Sequence, residues 1–228
     1  MVLTLLFAAG ASLPLLVGGA IGAAWRPPRR VLAIALAFAA GALISAVAFD
    51  LVEQSYQAGG VWRTGLGFAA GAAVFVLVDT LLDRWTSGSA VGFALLAGVT
   101  LDGIPENVAL GVSLTGGGSI ALLVAIFASN FPEGLGGAAK MRDNGRSPKA
   151  IIAIWGGATV LLALAVVLGR LVFSGSTPEQ LALPLAFAAG AVLASVIDTV
   201  APEAYEEGGP YVALGSAAGF FTAFMLSH

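Results

Sequence analysis

The chain contains no cysteine, and its one histidine is the last residue, His228. No disulfide and no thiolate metal site can therefore form. No Ser–His or Cys–His catalytic pair can be built inside the apolar segments, and imidazole is lost as a metal ligand unless the C-terminus folds back. Charge is scarce too. Only 10% of the 228 residues are charged, where a soluble domain carries about a quarter. That is too little polar surface to coat a globule in water. The net charge of −3 is uninformative, but no basic tract is present, so nothing marks a nucleic-acid partner.

What is present is apolar sequence. Hydrophobic residues make up 58% of the chain and 31 residues are glycine. Apolar runs of about 18 residues or more recur from end to end, the mark of membrane-spanning helices. Glycine suits close helix packing in lipid. Barrel strands would be short and alternating, whereas these runs are apolar on every face. The first 25 residues lack a basic leader and read as a retained helix rather than a signal peptide. The lipid bilayer is thus the first expected partner.

Polar punctuation divides the chain into eight segments, roughly 2–24, 31–53, 63–82, 90–114, 120–138, 150–173, 182–203 and 211–227. Their connections are short, so the expectation is one transmembrane domain over residues 1–228. Lysine and arginine bias sets the orientation. The first, third and fifth connections hold Arg26, Arg29, Arg30, Arg84, Lys140, Arg142, Arg146 and Lys149, leaving Arg63 and Arg170 on the other side. The odd connections are therefore expected in the cytoplasm and both termini outside, in a multi-pass protein of the cell (plasma) membrane. The seventh connection, acidic through Glu206 and Glu207, departs from the bias.

Residues 36–60 and 185–209 align without a gap, with 11 identities in 25. Ala/Gly-rich convergence could explain the shared Ala-Phe-Ala-Ala-Gly-Ala. It explains less well the later matches of Tyr56 to Tyr205 and of Gly59-Gly60 to Gly208-Gly209. With the second span running outward and the seventh inward, the repeat is inverted, as in many secondary transporters. The expected fold class is all-α: a polytopic membrane protein of eight transmembrane helices, with helices 1–3 and 6–8 as an inverted repeat around a central pair.

The central pair carries the chemistry. The fourth span contains Asp102-Gly103-Ile104-Pro105-Glu106-Asn107, and the fifth contains Ser129-Asn130-Phe131-Pro132-Glu133-Gly134. Asp102 and Glu106 share a helix face, as do Asn130 and Glu133. Each proline frees a carbonyl four residues back, that of Leu101 or Ala128, and a freed carbonyl in lipid needs a partner. Gly103 and Gly134 permit close approach. A charge at the bilayer centre costs at least about 2.5–3.5 kcal/mol. Three carboxylates without a basic neighbour must be protonated or hold a cation, and a divalent metal satisfies both charge and geometry. The bland alternative is protonated carboxyls that tie helices together. Nearer the helix ends, Asp50, Glu53, Asp79, Asp83, Asp198 and Glu203 are either solvated interfacial charges or an outer funnel and inner relay for the ion. Glu179, Glu206 and Glu207 read as solvated loop charges.

The paired motifs resemble those of the ZIP (Zrt/Irt-like protein) metal transporters, whose fourth and fifth helices read His-Asn-x-Pro-Glu/Asp-Gly and His/Gln-Glu/Asp-x-Pro-Glu-Gly. The resemblance extends to eight helices, outward termini and the Ala-Ala-Gly-Ala start of the second and seventh helices. It implies uptake of zinc, iron, manganese or cadmium into the cytoplasm. By position it implies a metal set of Asp102, Glu106, Asn130 and Glu133 with Ser129 beside them; Asn107, an oxygen donor in the same motif, is a further candidate ligand. The departures also matter. Neither motif keeps a histidine, Gly103 and Asn107 replace Asn and Gly, and no acid stands in Gly156–Val160. What remains is an all-oxygen set, suited to harder ions such as manganese, magnesium or calcium, and to iron(II). The expected function is transport of a divalent cation (zinc, manganese or iron(II)), the ion being substrate, with no organic cofactor and no enzymatic activity. A homodimer is compatible with this reading. The competing readings are a non-transporting metal sensor or scaffold, and a membrane-embedded hydrolase with paired carboxylates, for which the sequence supplies neither nucleophile nor oxyanion donor.

Overall fold

A computed structural model of the protein describes residues 1–86 and 91–228, without the side chains of residues 86 and 91–96. The described chain is helical, with no strand among the described residues. The helices are α1 (Val2–Ala24), α2 (Arg29–Ala46), α3 (Glu53–Thr86), α4 (Val91–Ser113), α5 (Ile120–Asp143), α6 (Pro148–Val172), α7 (Pro178–Ser195), α8 (Ala201–Gly208) and α9 (Val212–Ser227). A π-helical turn, Val47–Val52, joins α2 to α3, and a second, Val196–Val200, joins α7 to α8. Among the described residues, five helical runs are long and apolar enough to cross a membrane: Val2–Ala24, Arg29–Trp85, Ile120–Asp143, Pro148–Val172 and Pro178–Ser227. The protein is thus a helical, multi-pass membrane protein. The fourth sequence segment, 90–114, falls on α4, except that residue 90 lies outside the described residues.

Two of these runs, of 57 and 50 residues, are each far longer than the ~20 residues a bilayer needs. Each is interrupted by one glycine. Gly60 has φ 70° and ψ 179°, and Gly209 has φ 66° and ψ −159°. That region of backbone space is essentially closed to residues with a Cβ. The spans 31–53 and 63–82 fall on either side of Gly60, and the spans 182–203 and 211–227 on either side of Gly209. The two glycines, and the starts of the two π-turns, stand at matched positions of the sequence repeat.

Small residues let the helix backbones touch. A Cβ added to Gly41 on α2 would sit 1.9 Å from the carbonyl oxygen of Ser216 on α9, and one on Gly190 of α7 would sit 2.0 Å from that of Phe68 on α3. Likewise, a Cβ on Gly134 of α5 would sit 2.2 Å from the carbonyl oxygen of Leu15 on α1, and one on Gly111 of α4 would sit 2.1 Å from that of Val166 on α6. Without water-driven collapse between helices in lipid, such contacts carry the packing. Trp155 of α6 is fully buried among the interior residues of α1 and α5. Outward faces carry large apolar side chains such as Leu6, Leu66, Leu164 and Phe221. Exposed aromatics stand near helix ends, among them Trp25, Trp62, Trp85 and Tyr211, as at a membrane–water interface.

The ion pairs sort by helix end. Arg26 pairs with Asp143, Arg29 with Glu207 at 3.7 Å, and Lys140 with Glu203 at 2.5 Å. These tie the α1–α2, α5–α6 and α7–α9 connections together. Arg63, just after Gly60, pairs with Glu179 at the start of α7 at 2.7 Å. All four pairs are partly exposed, so each contributes at most about 1 kcal/mol. Their information lies in which ends they join.

Gly60→Ala tests the backbone account. An added methyl meets no atom within 4 Å, so any loss comes from the backbone conformation alone. A destabilisation of about 1–3 kcal/mol is expected, read as a lowered melting temperature of the detergent-purified protein, whereas Gly65→Ala, also in open space but with helical backbone, should leave it no lower.

Candidate metal site

Asp102 and Glu106 lie one turn apart on α4, and both are buried, at 5% and 2% exposure. Glu133 projects from α5 and is half-buried. Glu106 lies within electrostatic reach of Glu133 and Asp102, and Asp102 within reach of Glu133. None of the ion pairs found among the described residues involves these three carboxylates. The sequence explains why: between Arg84 and Lys140 there is no basic residue.

Amide and hydroxyl groups complete the surroundings. The Asn130 side-chain N–H donates to the carbonyl of Ala11 on α1 at 2.8 Å, and that of Asn107 donates to Gly103 at 2.8 Å. Both carboxamide oxygens are buried and accept no hydrogen bond. An unpartnered oxygen in such a place costs about 1–3 kcal/mol, so each is an acceptor held without its donor. Ser129 donates its hydroxyl to the Glu133 carboxylate. Among the described residues, no three Asp, Glu, His or Cys side chains stand close enough to share one ion. Carboxylates, carboxamide oxygens and hydroxyls are hard donors, and any ion here would need the neutral oxygens as well as the acids.

The motif glycines serve packing. A Cβ on Gly103 would lie 2.9 Å from the side chain of Leu162 on α6, and Gly134 is filled by the α1 backbone. The space they leave is occupied by neighbouring helices. Helical assignment runs unbroken through Pro105 and Pro132, and the π-turns fall on the flanking α2–α3 and α7–α8 runs instead. π-turns recur at functional sites.

The outer acids take different places. Asp50, in the first π-turn, is buried, and both its oxygens are occupied: Ser119 at the N-cap of α5 and Ser227 at the end of α9 each donate to it at 2.7 Å. Glu53 accepts from Gln57 at 3.0 Å on an exposed face. Glu203 is held by Lys140 and also bears electrostatically on Glu133. Asp79 on α3 is half-buried and lies within charge range of Asp83 and Asp198, which are exposed. Asp79 and Asp198 also bear on Asp102. The sequence reading missed Ser195, whose fully buried hydroxyl lies within reach of the Asp102 carboxylate but short of complete hydrogen-bond geometry. One serine in an Ala/Gly-rich helix carries no sequence signal. Its place just before the second π-turn is the nearest thing to one.

With this geometry in hand, comparison with known proteins adds one coarse finding. The chain is 32% identical over 186 residues to an Arabidopsis thaliana protein named "Putative zinc transporter". The match takes in 75% of this chain but 30% of the plant protein, so the chain spans less than a third of that relative's length. No family model matches.

The bonding of Asp50 predicts an anchor rather than an ion-handling group. Asp50→Ala removes the acceptor of the buried Ser119 hydroxyl and one of the two acceptors open to the half-buried Ser227 hydroxyl, at a cost of about 1–3 kcal/mol. The melting temperature should fall while the half-saturating metal concentration for uptake stays unchanged. A raised half-saturating concentration with unchanged melting would return Asp50 to the ion's entrance.

Proposed function

We propose that the chain is a ZIP-like carrier that moves a divalent metal cation across the bilayer into the cytoplasm, through a site formed by Asp102, Glu106 and Glu133 with Asn107, Ser129 and Asn130. The observation that carries this reading is the set of three mutually repelling carboxylates, buried or half-buried in an apolar helical protein, with no basic partner among the described residues. The two unpartnered carboxamide oxygens support it, since a cation would satisfy them and the carboxylates together. The similarity to a protein named as a zinc transporter points the same way. The donor set nonetheless favours harder ions, so manganese(II) or iron(II) stands beside zinc as substrate.

The proposed frame is one domain of eight transmembrane helices, with the first and last three as an inverted repeat. Matched π-turns and matched glycine breaks at Gly60 and Gly209 support the repeat. Ion pairs that join odd connections to odd, and even to even, support a topology with the basic connections in the cytoplasm of a plasma-membrane protein and both termini outside. Asp79, Asp83, Asp198 and Glu203 then line an inner exit, and Glu53 the outer entrance. A homodimer is compatible with this frame. A non-transporting sensor would share the site.

Uptake by reconstituted vesicles decides between them. Metal-dependent flux is expected in the wild type. Glu106→Ala and Glu133→Ala should each lower the uptake rate at subsaturating metal by about tenfold or more, a loss of at least ~1.4 kcal/mol. Binding without flux would favour the sensor. Variants that behave as wild type would sink the site.

A further inference from the structure

Ser195 ends α7, directly before the Val196–Val200 π-turn. Its side chain is fully buried, and its hydroxyl lies within reach of the Asp102 carboxylate of α4 without the geometry of a complete hydrogen bond to it or to any other group. Serines in apolar helices usually return their hydroxyl to a carbonyl three or four residues back. Ser12, Thr80, Thr159 and Thr222 all do so here. Ser195 does not, which leaves its hydroxyl free to face another group.

We propose that Ser195 is a ligand-side residue of the cation site, presenting a neutral hydroxyl oxygen from α7 beside the Asp102 carboxylate. The site is then walled by three helices, α4, α5 and α7, rather than by the central pair alone. This inference rests on the cation-carrier reading and deepens it. A hydroxyl oxygen adds a hard donor without adding charge, which favours a hard divalent ion over a soft one. It also helps to explain how an ion is held where three acids do not converge: neutral oxygens fill the remaining positions.

The absence of cysteine from the chain makes a clean test. Ser195→Cys introduces the molecule's single thiol. On adding cadmium(II) to the purified protein, a cadmium–thiolate charge-transfer band should appear, and the cadmium-to-manganese uptake ratio in vesicles should rise about tenfold, the effect of exchanging a hard donor for a soft one. Ser55→Cys is the control, since that buried hydroxyl is already engaged with Thr64 and with the carbonyl of Ala182. It should give neither effect. Ser195→Ala should raise the half-saturating manganese concentration about tenfold while the melting temperature holds. If wild-type vesicles take up metal, but Ser195→Cys gives no band and an unchanged ratio, the Ser195 assignment is overturned and the carrier stands. Should wild-type vesicles take up none, the carrier reading fails, and the cadmium band alone then upholds or overturns Ser195 as part of a binding site.

Discussion

Carboxyl groups buried in apolar surroundings, with no basic partner among the described residues, govern this molecule. Glu106 and Asp102 are almost completely enclosed, Glu133 joins them from the next helix, and the nearest basic residues in sequence stand at Arg84 and Lys140. A lone ionised carboxylate in such a medium is too costly to persist. The protein must therefore keep protons on these groups or exchange them for a cation. A carrier needs that bistability: a site good enough to take the ion from water, and poor enough when empty to release it.

The rest of the architecture holds this arrangement without relying on water. Glycines on α1, α5, α4 and α6 bring the backbones together around the two motifs, and a second set joins α2 to α9 and α3 to α7. Carboxamides lock the motifs to their surroundings: Asn130 reaches α1, and Asn107 returns to its own helix. Each keeps one oxygen in reserve. Asp50 gathers the start of α5 and the end of α9 through Ser119 and Ser227. At the opposite end of α5, Lys140 reaches Glu203. The site-bearing helix is thus fastened at both ends to elements outside the α4–α5 pair.

Much of this was legible in the sequence, for identifiable reasons. Apolar runs announce helices because lipid leaves the backbone no other partner. The acids of the central pair stood out because an unpaired acid in such a run has few structural uses. Gly60 and Gly209, where the two long runs break, lie at the matched ends of the two aligned stretches, but nothing in the sequence marked them as breaks. Other features were hidden. Proline drew attention to α4 and α5, yet the π-turns lie on the flanking runs, where no residue type encodes them. Asp50 read as either a solvated interfacial charge or part of an outer funnel, and its burial against two serine donors distant in sequence shows only in the fold. Gly103 and Gly134 suggested close approach, and it is the neighbouring helices that approach there. Ser195 acquires meaning only when α7 is brought against α4.

The most direct test of the central claim is an anomalous difference map from crystals of the protein soaked in manganese(II). The account predicts a peak between α4, α5 and α7, held by the Asp102, Glu106 or Glu133 carboxylates together with the neutral side-chain oxygens of Asn130 and Ser195. A map without a peak there at saturating manganese, or with its peak only among the exposed acids near Asp83 and Asp198, would contradict it.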